Sequence, residues 1–88
     1  MHVLVLSTIT DSDSFWGSLK QSYGRLPAGA RWVLAVASTD GTRAVNVIVA
    51  DSIESVRSIF DTSAGGFAAT EYLEADITNA VGLPGGKQ

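Results

Sequence analysis

An α+β domain with the order strand, helix, strand, strand, helix, strand is what this chain predicts, and three features carry that expectation. Two apolar stripes recur at helical spacing behind Asp and Ser residues. Four β-rich runs surround and separate them, and an Asp-Gly pair lies between the middle two runs. With 88 residues the chain is read as one domain over residues 1–80, followed by a loose tail, 81–88, that contains GLPGGKQ.

The first run, HVLVLSTI (residues 2–9), is β-branched and apolar on both sides and is followed by the polar cluster TDSDS, which predicts a well-buried strand. From Ser14 the period changes. Phe15, Leu19 and Tyr23 recur every four residues, Asp11 to Ser14 offer capping side chains, and Gly24 is placed to stop the helix, expected at about 13–23. ARWVLAVAS and TRAVNVIVA flank Asp40-Gly41 and predict an antiparallel hairpin, because both turn positions favour positive φ. In DSIESVRSIFD, Asp51 or Ser52 caps, Glu54 stands where a capping-box partner would, and Ile53, Val56, Ile59 and Phe60 make the stripe of a helix at 52–63. SAGGF ends it, and residues 69–78 are expected as the fourth strand. This order is the split βαβ of ferredoxin-like folds: a four-stranded antiparallel sheet in the order 4-1-3-2 with both helices on one face.

Composition narrows the function classes. The formal charge is -3 with six scattered Lys and Arg residues, which disfavours nucleic-acid binding because phosphate recognition needs clustered cations. The absence of cysteine removes disulfides, thiolate metal sites and Cys nucleophiles. No apolar run approaches the roughly 20 residues of a membrane span, and the N-terminus lacks a basic leader segment, so a cytoplasmic protein with no membrane role is expected. DSDS lacks the third acid and the glycine of a calcium loop, GLPGGK lacks the spacing of a phosphate loop, and no cofactor or metal is called for.

Side-chain alternation assigns the strand residues to the two sheet faces. Polarity places Leu73, Ala75 and Ile77 towards the helices and leaves Tyr72, Glu74, Asp76 and Thr78 open; it likewise turns Val45, Val47 and Val49 inward and Ala44, Asn46, Ile48 and Ala50 outward. With Trp32, Leu34 and Val36 of the second strand and His2, Leu4, Leu6 and Thr8 of the first, the open face is too apolar for water, and a homodimer through that face is expected.

Over residues 2–80 the chain resembles the dimeric α/β-barrel superfamily, through its element order, its length and the segments ADSIESVRSIF and EYLEADI. That resemblance implies sheets packed face to face in pairs around a small-molecule site, in a superfamily that includes cofactor-independent oxygenases, isomerases, cyclases and haem-degrading enzymes. Asn46 and Trp32 match two members of the haem-degrading set, but the only histidine is His2 at the N-terminus, so that carry-over fails at the ligand. Other families with this order fit less well: RAVNVIVA has no base-stacking aromatics, and STITDSDSF has neither glycine nor Arg for a phosphate loop. An ACT-like regulatory module or accessory subunit is the non-catalytic alternative.

The candidate residues follow. His2, Asp76 and Asn46 are the expected proton-handling set, because an antiparallel fourth strand brings the region of Asp76 beside His2. Trp32, Leu34, Ile48, Tyr72 and Glu74 are the expected walls of a small, hydrophobic, oxygenated ligand's site. Each has a plainer reading. A terminal His is usually solvated, Glu74 and Asp76 protect an edge strand, and Trp32 packs as core. Asn46, inside an apolar strand, must find partners if it is buried.

Overall fold

A computed structural model describes residues 1–63 and 65–81, so all but Val81 of the expected tail lies outside the described residues. Strand β1, His2–Ile9, matches the first apolar run residue for residue and occupies the middle of the sheet. Helix α1, Ser12–Tyr23, begins where the Asp11 carboxylate accepts from the Ser14 backbone N–H at 3.2 Å, and the Gly24 N–H closes it on the Ser22 carbonyl. Strands β2, Arg31–Ala37, and β3, Arg43–Val49, form the expected hairpin. Helix α2, Ile53–Ser63, takes Ser52 as its cap, whose Oγ accepts from the Ser55 N–H at 3.1 Å. Strand β4, Ala68–Glu74, completes the sheet.

The strand order is β2-β3-β1-β4, which is 4-1-3-2 read from the other edge, and every neighbouring pair is antiparallel. The fold is ferredoxin-like. Both helices press onto one face, where Phe15 and Leu19 of α1 and Val56 and Phe60 of α2 join Val3, Val5 and Ile9 of β1 and Ile48 of β3 in one buried cluster. Full burial of each of these larger side chains contributes about 1.5–3 kcal/mol, which makes this layer the main source of stability in so short a chain.

The hairpin turn is built by Asp40. Its Oδ1 accepts from the Thr42 N–H at 3.0 Å, the Thr42 hydroxyl at 2.7 Å and the Ser38 hydroxyl at 2.7 Å; of the two turn positions expected to take positive φ only Gly41 does, at 76°, because these bonds hold Asp40 in an ordinary conformation. These bonds, the Thr42 N–H foremost, hold the exposed carboxyl at a pKa of about 2.

The pairing register corrects the faces read from polarity. Val3 stands opposite Ile48 and Val5 opposite Asn46, so the even-numbered residues of β3 look at the helices and Val45, Val47 and Val49 look away. Val5 is likewise opposite Tyr72 and Val3 opposite Glu74, which turns Thr70, Tyr72 and Glu74 to the helix side and Glu71 and Leu73 to the open side. A bulge between Trp32 and Leu34 divides β2, with Trp32 beneath the helices and Leu34 and Val36 on the open face. Polarity misled because both faces of β3 are aliphatic and Tyr72 buries an aromatic body while keeping a polar tip. Strand β4 also stops earlier than expected, at Glu74, because Asp76 caps a 3₁₀ turn over Ile77–Asn79.

Candidate functional site

The expected proton-handling residues do not converge. Asn46 is fully buried on the helix side, with its Oδ1 accepting from the Trp32 indole Nε1 at 2.9 Å. Its Nδ2 is buried with no hydrogen-bond partner among the described residues. His2 stands on the opposite face, where it pairs with Val49. The backbone of β1 does lie beside the end of β4, since the Ala75 N–H donates to the His2 carbonyl at 2.8 Å. The Asp76 carboxylate, however, is occupied by its own turn. It accepts from the Thr78 hydroxyl at 2.6 Å, the Thr78 N–H at 3.0 Å and the Asn79 Nδ2 at 2.7 Å, and these bonds hold its carboxyl below the usual range.

The expected ligand-contacting residues divide the same way. Trp32, Ile48 and Tyr72 belong to the packed layer under the helices, and Glu74 is exposed at the sheet edge on that side. Only Leu34 remains on the open face, 42% exposed. What the structure assembles from the rest is an aromatic chain. Tyr23, Trp32, Phe60 and Tyr72 follow one another with ring centroids 6.0, 5.8 and 6.2 Å apart, and the Arg57 guanidinium lies 5.2 Å from the Tyr72 ring. Burial, with the Asp61 charge behind it, pushes the Tyr72 phenol up to about 12, so it is a neutral packing group at ordinary pH.

The open face is the most unusual surface of the molecule. Its second row, read across the sheet, is Leu34, Val47, Leu4 and Leu73, and its third is Val36, Val45, Leu6 and Glu71. Val36 is 55% exposed, Leu73 43% and Val45 39%, and with Leu4 and Leu6 half-buried and Val47 buried between them these aliphatic side chains stand beside one another rather than scattered. At the Arg43 end of this face lies a hollow of about 360 Å³. Leu6, Val45 and Ala69 give it apolar walls, and Thr8, Arg43 and Glu71 stand around it. Polarity alone missed Arg43 and Glu71; the pairing of β3 and β4 with β1 is what puts them on this face.

A second depression of about 390 Å³ lies between α1 and α2, lined by Ser18, Ser22, Arg25, Thr62 and Ser63 among others. The Thr62 and Ser63 hydroxyls there already donate to carbonyls of their own helix. Among the described residues no group of three or more His, Asp or Glu side chains is placed to hold a metal ion. No helix among them is long and apolar enough to cross a membrane. No protein-family model matches the chain, and neither a curated protein nor a solved structure matches it.

Proposed function

We propose that this chain is a homodimeric small-molecule-binding protein whose two sheets meet through their helix-free faces, with the hollow beside Arg43 as the ligand site. The observation that carries the reading is the aliphatic surface of Leu4, Leu6, Leu34, Val36, Val45 and Leu73, which no element of the described chain covers. Monomeric proteins rarely expose apolar patches beyond a few hundred Å². A second copy of the same face is the simplest cover, and it agrees with the resemblance to the dimeric α/β-barrel proteins.

The ligand suited to the hollow is small and amphipathic. Its apolar body would lie on Leu6, Val45 and Ala69, and an acidic or oxygenated group would reach Arg43 and Thr8. Binding is favoured over cofactor-independent oxygenase, isomerase or cyclase chemistry, because His2 and Asn46 are on opposite faces of the sheet and Asp76 is engaged in its own turn. The non-catalytic role of a regulatory or accessory module therefore becomes the nearer of the two classes.

Sedimentation equilibrium of the native chain tests the first half, with a dimer expected at micromolar concentration; a folded monomer there would overturn it. A thermal-shift screen with aromatic carboxylates, polyketide-like compounds, haem and amino acids tests the second. A stabilising ligand should lose its effect in Arg43→Ala, and a ligand whose shift is untouched by that change binds elsewhere.

A further inference from the structure

Of the three exposed charges on the open face, Arg31, Arg43 and Glu71, the first and the last flank its aliphatic centre, and their positions are related. Adjacent strands are about 4.8 Å apart and a two-residue step along a strand is about 6.8 Å, so the register converts directly into a map of the face. Leu4 and Val47 are paired at its centre. Arg31 pairs with Val49, one row above Val47 and one strand beyond it, on β2. Glu71 pairs with Leu6, one row below Leu4 and one strand beyond it, on β4. Measured from the midpoint of Leu4 and Val47, the two residues lie in opposite directions along one diagonal, each about 10 Å away.

A two-fold axis between two such faces brings each position over its mirror image across the axis. Passing that axis through the Leu4–Val47 midpoint, perpendicular to the diagonal, exchanges the Arg31 and Glu71 positions. It also lays Leu34 over the Leu6–Val45 pair of the second copy, so the aliphatic rows meet one another. The strands then cross at close to 90°, one of the two ways in which sheets pack face to face. Arg43 is about 14 Å from the midpoint and its image falls past the β2 edge, so it stays outside the contact; the Leu6 and Val45 walls of the hollow are then shared with the second copy, while its Thr8, Arg43 and Ala69 side stays open.

We propose that Arg31 of one copy meets Glu71 of the partner subunit, twice by symmetry, and that this pair sets the crossing angle of the dimer. The inference rests on the homodimer reading above. Leucine and valine supply contact without direction, whereas opposite charges at matched corners accept one orientation and penalise others.

Charge reversal tests it. Arg31→Glu and Glu71→Arg each set like charges against each other at two places, so each should weaken the dimer about tenfold or more at low salt, with the penalty shrinking at high salt. The double variant Arg31→Glu/Glu71→Arg restores the pairs and should return the dissociation constant to within about threefold of native. Lys20→Glu, an exposed charge on α1 at the far side of the sheet, serves as the control and should leave it nearly unchanged. Singles without effect, or a double as weak as the singles combined, would overturn the pairing while the native chain still dimerises; a monomeric native chain would instead overturn the dimer itself.

A second measurement needs no change of charge. Val36 falls almost on the proposed axis, whereas Thr8 is about 11 Å from it. In this cysteine-free chain, Val36→Cys should give a disulfide-linked dimer on mild oxidation, and Thr8→Cys should not. The reverse result would place the axis elsewhere.

Discussion

Beneath the helices the sheet carries Trp32, Asn46, Ser7 and Tyr72 among its aliphatic residues, whereas the helix-free face carries leucine and valine at its centre and keeps Arg31, Arg43 and Glu71 at its margins. The contents of the covered face are directional. The Trp32 indole reaches one acceptor on Asn46, the Ser7 and Thr70 hydroxyls meet at 3.2 Å, and Phe60 touches Trp32 on one side and Tyr72 on the other. Groups of that kind fix one packing of helix on sheet, since any slip strands a buried polar atom. The open face offers nearly shapeless apolar area, so whatever covers it is held by area and oriented by the charges around it.

The sharpest way to break this comparison is to place the same charge on each face. Ile48 is fully buried under the helices, and Ile48→Asp should cost about 4 kcal/mol or more and abolish the folded state. Leu34→Asp, on the other face, should change the stability of the isolated chain by less than about 1 kcal/mol. Its effect should appear instead as loss of the dimer. Urea unfolding of dilute protein measures the first quantity and sedimentation the second, and equal damage from both substitutions would mean that the two faces are not distinct.

A smaller effect concerns the directional contacts of the covered face. Trp32→Phe removes the indole donor and leaves the Asn46 amide without its one observed bond, at a cost of about 1–3 kcal/mol. Asn46→Leu should cost a similar amount. Because both changes break one interaction, the double variant should cost less than the sum of the singles in a denaturation cycle. Strict additivity would show that the bond contributes nothing.

Titration gives the mildest contrasts. The Tyr72 phenol is raised from 10.0 to about 12, so its neutral form favours the folded state; that contribution is complete below pH 10 and is lost as pH rises through 12. A phenolate absorbance step near pH 12 should be present in the native protein and absent in Tyr72→Phe. Asp40 is the opposite case, lowered from 3.8 to about 2. Its contribution is present above about pH 4 and fades as pH falls towards 2, and Asp40→Asn should flatten the acid limb of the stability profile in that window.

Element order, the extent of β1, both helices and the Asp40–Gly41 turn were legible in the sequence, because each depends on neighbours a few residues away: a period, a cap, a glycine with positive φ. Part of the face assignment was legible too. A turn at Asp40–Gly41 pairs Val36 with Val45 and so forces them onto one face, a constraint stronger than the polarity of Asn46 that suggested otherwise. The candidate site was legible only in fragments, since of the eight residues singled out for it Leu34 and His2 alone stand on the open face. What the tertiary structure decided was which polar residues go inside. Asn46 is buried because the indole of Trp32, 14 positions away in sequence, can meet it, and Trp32 reaches it because the strand bulges before Leu34. Tyr72 turns inward because Phe60 and Arg57 of α2 give its ring a surface. Such contacts join residues far apart along the chain and depend on a one-residue irregularity that no local pattern announces, so only the assembled sheet and helices could place them.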